Sequence, residues 1–182
     1  MISVISITGK DRPGIIARVT DILFKCGANL EDASMTILEG EFAMIVLAHF
    51  KNGRSCTRAI EAFSKLESRM GLVVGLKGVK RSLKRGEHHR KGTMPWVISV
   101  HGKDRSGIVY RVSNLLALRG CNITDLSSRI TGRGRGAVYH LVLEADLPVS
   151  KAKSDRIYSK LKSLEGKLKV SISAKPVGVE QF

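Results

Sequence analysis

The feature that most constrains this chain is an internal duplication. Residues 4–15 read VISITGKDRPGI, and residues 97–108, which lie 93 positions later, read VISVHGKDRSGI. About half of positions 4–37 are identical to their counterparts in the second copy. A period of this length that occurs twice indicates two homologous domains, because solenoid repeats are only about 20–50 residues long.

Each copy has the pattern of a β-α-β-β-α-β unit. The predicted elements of the first copy are a strand at 2–8, a helix from Pro13 to Cys26, strands at 30–38 and 42–50, a helix from Ser55 or Thr57 to Met70, and a strand at 72–76. Those of the second copy are a strand at 96–100, a helix at 106–118, strands at 123–130 and 137–143, a helix at 151–164, and a strand at 168–174.

This order of elements predicts an α+β fold, namely two tandem ferredoxin-like sandwiches. Each sandwich is an antiparallel sheet with both helices on one face. The helical residues expected to pack against the two sheets are Ile15, Val19, Ile22, Leu23, Ile60, Phe63, Leu66 and Met70, and Val112, Leu115 and Leu116.

The charge distribution separates the chain into three parts. We predict a first domain at 1–79, a basic linker at 80–93 and a second domain at 94–182. Residues 1–76 carry nine basic and eight acidic side chains, whereas residues 77–182 carry 22 basic and eight acidic ones. The excess of positive charge is consistent with an anionic partner for the second half, and equally with a contribution to solubility alone.

Several classes of protein do not fit the sequence. No apolar run reaches the roughly 18 residues of a membrane-spanning helix, and the first residues do not resemble a signal peptide, so we expect a cytoplasmic protein without membrane contact. The three scattered cysteines predict no disulfide framework. No metal-ligand spacing, phosphate-binding loop or nucleophile-and-base arrangement is present, so we expect no metal, no cofactor and no enzymatic activity.

Two short motifs carry a resemblance to a known family. The loop GKDRPGI at 9–15, followed after one helix by CGANLED at 26–32, resembles the ACT domain family, and the match extends over both copies. Two such units in tandem with nothing attached are similar to the glycine cleavage system transcriptional repressor group. The resemblance implies a regulatory protein that binds a small, glycine-like amino acid where the loop faces a neighbouring ACT unit.

The loop chemistry is suited to an amino acid, because free N–H groups at a helix start favour a carboxylate and a glycine allows close approach. By the resemblance, the ligand-binding residues are Asp11, Arg12, Pro13, Gly14, Ile15, Asn29 and Asp32, with Asp104, Arg105, Ser106, Gly107, Ile108, Asn122 and Asp125 in the second copy. Purely structural roles are the alternative: helix caps for the aspartates, close packing for the glycines, turns for the asparagines and solvated loops for the arginines.

Three functions remain open at this point. The first is an amino-acid-sensing homodimer that regulates transcription or metabolism through a protein partner. The second is a regulatory partner, in trans, of an amino-acid or folate enzyme. The third is direct nucleic-acid binding through basic residues such as Arg133 and Arg135, which we do not favour because aromatic residues are only 5% of the chain and no base-reading motif is visible.

Overall fold

The computed structural model describes residues 1–79 and 89–178. It divides into two compact units, Met1–Leu83 and Lys84–Phe182, and each unit has its own sheet and hydrophobic core. Residues 80–88 of the predicted linker lie outside the described residues, and Thr93, its last residue, already begins a strand. None of the helices within 1–79 and 89–178 is long and apolar enough to cross a membrane.

The first unit is a four-stranded antiparallel sheet with two helices. Its elements are β1 (Ile2–Lys10), α1 (Ile15–Lys25), β2 (Ala28–Leu38), β3 (Glu41–Phe50), α2 (Gly53–Met70) and β4 (Leu72–Val79). The strand order is β2-β3-β1-β4, so β1 lies in the centre and β2 and β4 form the two edges. The predicted ferredoxin-like α+β fold is therefore confirmed for this unit.

The second unit repeats the plan with one additional short helix. Its elements are β5 (Thr93–Lys103), α3 (Ile108–Ala117), β6 (Asn122–Thr131), β7 (Val138–Pro148), α4 (Lys151–Lys162), α5 (Leu164–Leu168) and β8 (Val170–Pro176). The strand order β6-β7-β5-β8 is the same as in the first unit. The single helix predicted at 151–164 is divided into α4 and α5.

The buried residues follow the predicted periodicities with one exception. Ile15, Val19 and Leu23 are buried in the first core, and Val112 and Leu116 are buried in the second. Ile22 and Leu115 are only partly buried against these cores. The exception is an α2 residue, Ile60, which is 49% exposed because the buried stripe of that helix runs through Cys56, Ala59, Phe63, Leu66 and Met70.

The start of α2 also differs from the prediction. The helix begins at Gly53, not at Ser55 or Thr57. Asn52 precedes it with an extended backbone, and its side-chain Oδ1 accepts a hydrogen bond of 2.9 Å from the N–H of Ser55. This is N-capping by asparagine, which satisfies one of the free donors of the first turn and sets the helix start earlier.

One edge of each sheet is capped by a glutamate. The Glu67 side chain accepts a hydrogen bond of 2.7 Å from the N–H of Val74 in β4, and Glu165 accepts one of 2.6 Å from the N–H of Ile172 in β8. An N–H on an edge strand is a template for pairing with another chain, so each carboxylate blocks one such site. Residues 67 and 165 were not recognised as equivalent in the sequence, because their offset is 98 and not 93.

A second pair of equivalent positions ends the helices that precede β4 and β8. Gly71 follows α2 with φ 61°, and Lys169 follows α5 with φ 53°. Both residues have the left-handed conformation that ends many helices, which glycine adopts at little cost and other residues adopt with strain.

We therefore expect Lys169→Gly to stabilise the second unit by about 0.5–1 kcal/mol, because it removes backbone strain that Lys169 carries. The measurement is urea unfolding followed by the fluorescence of Trp96, the chain's only tryptophan, which lies in β5. Lys167→Gly, at an exposed position inside α5, is the matched control and should destabilise the unit. A loss of stability in Lys169→Gly would contradict the prediction.

The stability of the second unit should also depend on the charge of Glu165. The hydrogen bond from the N–H of Ile172, together with Lys162 at 2.8 Å, holds the pKa of the Glu165 carboxyl below its ordinary value. A lowered carboxyl pKa contributes stability above the unfolded-state value of about 4.3, and this contribution is lost as the pH falls below it.

Glu165→Gln keeps the hydrogen-bond acceptor and removes the charge. We expect the variant to be less stable than the parent protein at pH 7, and the difference to shrink between about pH 5 and pH 3 as the parent carboxyl is protonated. Unfolding followed by Trp96 fluorescence across this range is the measurement. Asp155→Asn, at an exposed carboxylate on α4, is the control. A difference that stays constant with pH would show that charge is not involved.

Candidate functional site

The loop between β1 and α1 is held at two points. The backbone N–H of Asp11 donates a hydrogen bond of 2.8 Å to the carbonyl oxygen of Gly40, in the turn between β2 and β3. The Arg12 Nη2 donates one of 2.6 Å to the carbonyl oxygen of Met70, the last residue of α2. A guanidinium at a helix C-terminus satisfies a free carbonyl and opposes the negative end of the helix dipole. The loop is thus fixed to both the sheet and the second helix.

The N-terminus of α1 is formed by glycine. Gly14 is the N-cap residue, with φ 94° and ψ −2°, and no side-chain cap is present. Pro13 therefore precedes the helix and does not occupy its first turn, contrary to the prediction, because the left-handed Gly14 separates it from Ile15. Asp11 does not act as a helix cap. Within the described part of the chain, no side chain accepts from the first-turn N–H groups, so these donors are available.

A groove of about 600 Å³ opens beside this helix start. Its lining combines the whole loop with the first turn of α1 and the far end of the sheet, and consists of Asp11, Arg12, Pro13, Gly14, Ile15, Ile16, Ala17, Met35, Ile37 and Phe42. The five predicted loop residues are therefore brought together in one groove. Its lining thus includes Asp11 and the uncapped start of α1 together with the apolar residues Met35, Ile37 and Phe42.

Asn29 and Asp32 lie elsewhere in the unit. Asn29 pairs with His49, which pairs with Ile2 at the start of β1, whereas Ile37 pairs with Phe42 near the end of β1. Eight residues of extended strand, about 26 Å, separate Asn29 from Ile37. Within its own unit, Asn29 therefore cannot contact a ligand in the groove.

Local hydrogen bonds account for the side chains of these two residues. Asn29 Nδ2 donates to the Glu31 carboxylate at 2.9 Å, and the Asp32 carboxylate accepts from the Ala33 N–H at 2.8 Å. The latter contact lies at an irregularity in the pairing of β2 with β3, between Leu30 and Asp32. Both side chains thus support the local strand geometry.

The loop of the second unit has the same backbone and different surroundings. It contains Asp104, Arg105, Ser106, Gly107 and Ile108, and Gly107 is the left-handed N-cap of α3 with φ 89°. Asn122 and Asp125 lie at the opposite end of β6, as their counterparts do in β2. The position of Ala17 is taken by Tyr110, 67% exposed, and that of Met35 by Ser128. The apolar lining of the first groove is therefore only partly reproduced, with Ile130 at the position of Ile37.

Sequence reasoning missed the apolar residues that line the groove. Met35 and Ile37 pair with the buried Met44 and Phe42, so they point to the helix-covered face of the sheet at an uncovered edge. The signal that could have found them is the alternation of β2 combined with the register to β3. Neither is readable from the loop motif alone.

Two histidines and one cysteine outside the loop have local structural surroundings that explain them. His140 is hydrogen-bonded, with Nδ1 at 2.9 Å from His101 Nδ1 and Nε2 at 2.8 Å from Thr131 Oγ1. His89 Nδ1 lies 2.7 Å from the buried Asp146 carboxylate. Burial raises the pKa of the Cys121 thiol, which makes it a poor nucleophile. Among residues 1–79 and 89–178, no three His, Cys, Asp or Glu side chains are grouped as metal ligands.

Comparison with known families gives the same division of the chain. The ACT domain family matches residues 1–77 and, separately, residues 96–164. The chain belongs to the ACT domain family. The two units are accordingly its first and second ACT domains, and the tandem arrangement predicted from the duplication is confirmed.

Relatives and solved structures extend the likeness over both ACT domains. The glycine cleavage system transcriptional repressor of Escherichia coli K12 is 30% identical over 156 residues, which cover 81% of this chain and 75% of that protein. A crystal structure of a protein from Galdieria sulphuraria matches with a TM-score of 0.78 and 26% identity over 97% of this chain and 98% of that one. A candidate glycine cleavage system transcriptional repressor of known structure matches with a TM-score of 0.70 and 20% identity, over 97% and 96% of the two chains, and supports the fold.

Proposed function

We propose that this protein is an amino-acid-sensing regulator that binds a small, glycine-like amino acid in the groove of its first ACT domain. The observation that carries the proposal is that a single groove is lined both by the uncapped start of α1 and by the acidic residue Asp11. An α-amino acid carries the two complementary charged groups, an ammonium and a carboxylate, on one carbon atom.

The proposed contacts follow from the chemistry of the groove. The ligand carboxylate accepts hydrogen bonds from the first-turn N–H groups of α1, where the positive end of the helix dipole adds to the attraction. The ligand ammonium group pairs with the Asp11 carboxylate. Met35, Ile37 and Phe42 form an apolar wall, which accommodates hydrogen or a short alkyl side chain and penalises a charged one.

The groove is open on the side of β2, and we propose that a second copy of the protein closes it. β2 is an edge strand with four exposed apolar side chains, Leu30, Met35, Ile37 and Leu38. A two-fold axis pairs identical edges antiparallel, so two β2 strands paired about their middle would place β2 of one copy beside the groove of the other. The side chains of Asn29 and Asp32 would stay outside that groove, because they pair with His49 and Leu47 and so point to the sheet face opposite to that of Met35 and Ile37.

The regulatory role is inferred from the domain composition and the relatives. Both matched regions are ACT domains, and the Escherichia coli relative is named a transcriptional repressor. We propose a non-enzymatic protein that passes the occupancy of its groove to a protein partner and thereby controls transcription or metabolism.

Asp11→Asn tests the ligand site. A thermal-shift screen of the twenty amino acids should reveal a responding small amino acid, because a ligand at 100 times its dissociation constant stabilises the folded state by about 2.7 kcal/mol. Titration calorimetry should then show about tenfold weaker binding to Asp11→Asn, since the ammonium group loses its charged partner. Gly14→Val is unsuitable as a probe, because φ 94° strains any side chain there.

The matched control is Asp104→Asn, the same change at the equivalent loop position of the second ACT domain. It should leave the affinity measured for the first domain unchanged. No response to any amino acid at millimolar concentration would refute the proposed function, and equal losses in both variants would move the site away from the first groove.

Light scattering tests the proposed dimer. The parent protein should have twice the mass of one chain, and Leu30→Lys combined with Leu38→Lys should shift it to the monomer, because charges on an edge strand oppose pairing. Phe24→Lys, at an 81% exposed position on α1, is the control and should remain dimeric. A monomeric parent protein would exclude the dimer.

A further inference from the structure

A second depression of the first ACT domain lies between α1 and α2, on the helical side of the unit. This cleft has a volume of about 560 Å³ and is defined by four cationic side chains, Arg12, Arg18, Lys65 and Arg69, over a floor that includes Ile22 and Leu66. Arg18 and Ile22 come from α1, and Lys65, Leu66 and Arg69 come from α2. The cleft was not foreseen in the sequence, where this half of the chain is nearly balanced in charge.

The positive charges of the cleft are not neutralised within the domain. Asp21 is the only carboxylate in its lining, and it forms an ion pair of 2.8 Å with Lys25. In the described parts of the chain, no carboxylate lies within 4.0 Å of Arg18, Lys65 or Arg69. Lys65 and Arg69 are four residues apart on one helix face, an arrangement of like charges that slightly destabilises an isolated helix. The cleft is therefore a positively charged surface that would attract a negatively charged ligand.

The floor of the cleft decides what kind of anion fits. Leu66 is 6% exposed and Ile22 is half-buried, so an apolar surface lies between the cationic rims. A nucleic-acid backbone makes its contacts through phosphate oxygens, and these gain nothing from packing against an apolar floor. A peptide segment that alternates carboxylates with apolar side chains matches both the rims and the floor.

We propose that this cleft is the docking site for an acidic amphipathic segment of a partner protein. The inference deepens the proposed function, since it rests on the protein acting through a protein partner and names the surface and the chemistry of that contact. The segment would set carboxylates against Arg18, Lys65 and Arg69 and one apolar side chain on Ile22 and Leu66.

Arg12 connects the cleft to the amino-acid groove. It lines both depressions, and its Nη2 donates to the carbonyl oxygen of Met70 at 2.6 Å. A carboxylate of the ligand or of the partner that attracts this guanidinium changes the position of the same Arg12 side chain. Binding at one site therefore changes affinity at the other, and by linkage the effect is reciprocal.

The test is fluorescence anisotropy with a labelled twelve-residue peptide of glutamate and leucine. The parent protein should bind it saturably, with an affinity that falls as salt rises. The combined Arg18→Gln, Lys65→Gln and Arg69→Gln variant should bind at least tenfold more weakly. The matched control removes the same charge from the exposed positions Lys51, Arg54 and Arg58, which lie outside the cleft, and should bind within about twofold of the parent.

Three results would overturn the docking site. Equal losses in the two variants would mean a general charge effect. Equal binding of a glutamate and glycine peptide would mean that the apolar floor is not used. A DNA duplex that binds more tightly than the peptide and depends on the cleft residues would assign the surface to nucleic acid.

The amino-acid response separates this inference from the proposed function. Peptide binding is measured first without any amino acid, and the thermal-shift screen is repeated on the cleft variant. If the parent protein responds to an amino acid but does not bind the peptide, only the docking site is contradicted. Peptide binding without an amino-acid response contradicts only sensing.

Discussion

The arrangement of the first ACT domain depends on the pairing of β1 with strands on both of its sides. β1 is the central strand, and its ladders to β3 and β4 place its last residues beside the turn that joins β2 and β3. From there the N–H of Asp11 and the guanidinium of Arg12 tie the following loop to Gly40 and to the end of α2. The uncapped helix start is therefore held by the core of the domain, and its donors are oriented before any ligand arrives.

The two ACT domains show which parts of the duplicated unit are constrained by folding. Both keep the strand order, a glycine at φ near 90° before the first helix, an irregularity in the second strand, and a glutamate that blocks the last edge. They differ where folding makes little demand, with Tyr110 in place of Ala17 and Ser128 in place of Met35. The loop itself keeps six of its seven residues, GKDRPGI at 9–15 against GKDRSGI at 102–108, so the differences lie in residues that flank it.

The two depressions of the first domain have one lining side chain in common, that of Arg12, and otherwise lie against different elements. The groove beside the loop lies between α1 and the β2 edge, whereas the basic cleft lies between α1 and α2. Arg12 lines both depressions, and its guanidinium donates a hydrogen bond to the carbonyl oxygen of Met70. If both depressions bind as proposed, a differential interaction with this one shared group is sufficient for coupling, without a large conformational change.

The sequence by itself determined the duplication, the order of elements and most of the buried faces, because these depend on periodicities within single helices and strands. It also predicted the loop residues that meet in the groove, since they are contiguous. Only the tertiary structure decided that Asn29 lies at the other end of β2, about 26 Å of extended strand from Ile37 in the groove, since this follows from the register of β2, β3 and β1. The same holds for the exposure of Ile60 and for the cleft formed by Arg18 and Arg69, because which stripe of a helix is buried, and which cations become neighbours, is settled by the packing of one helix on another and not along the chain.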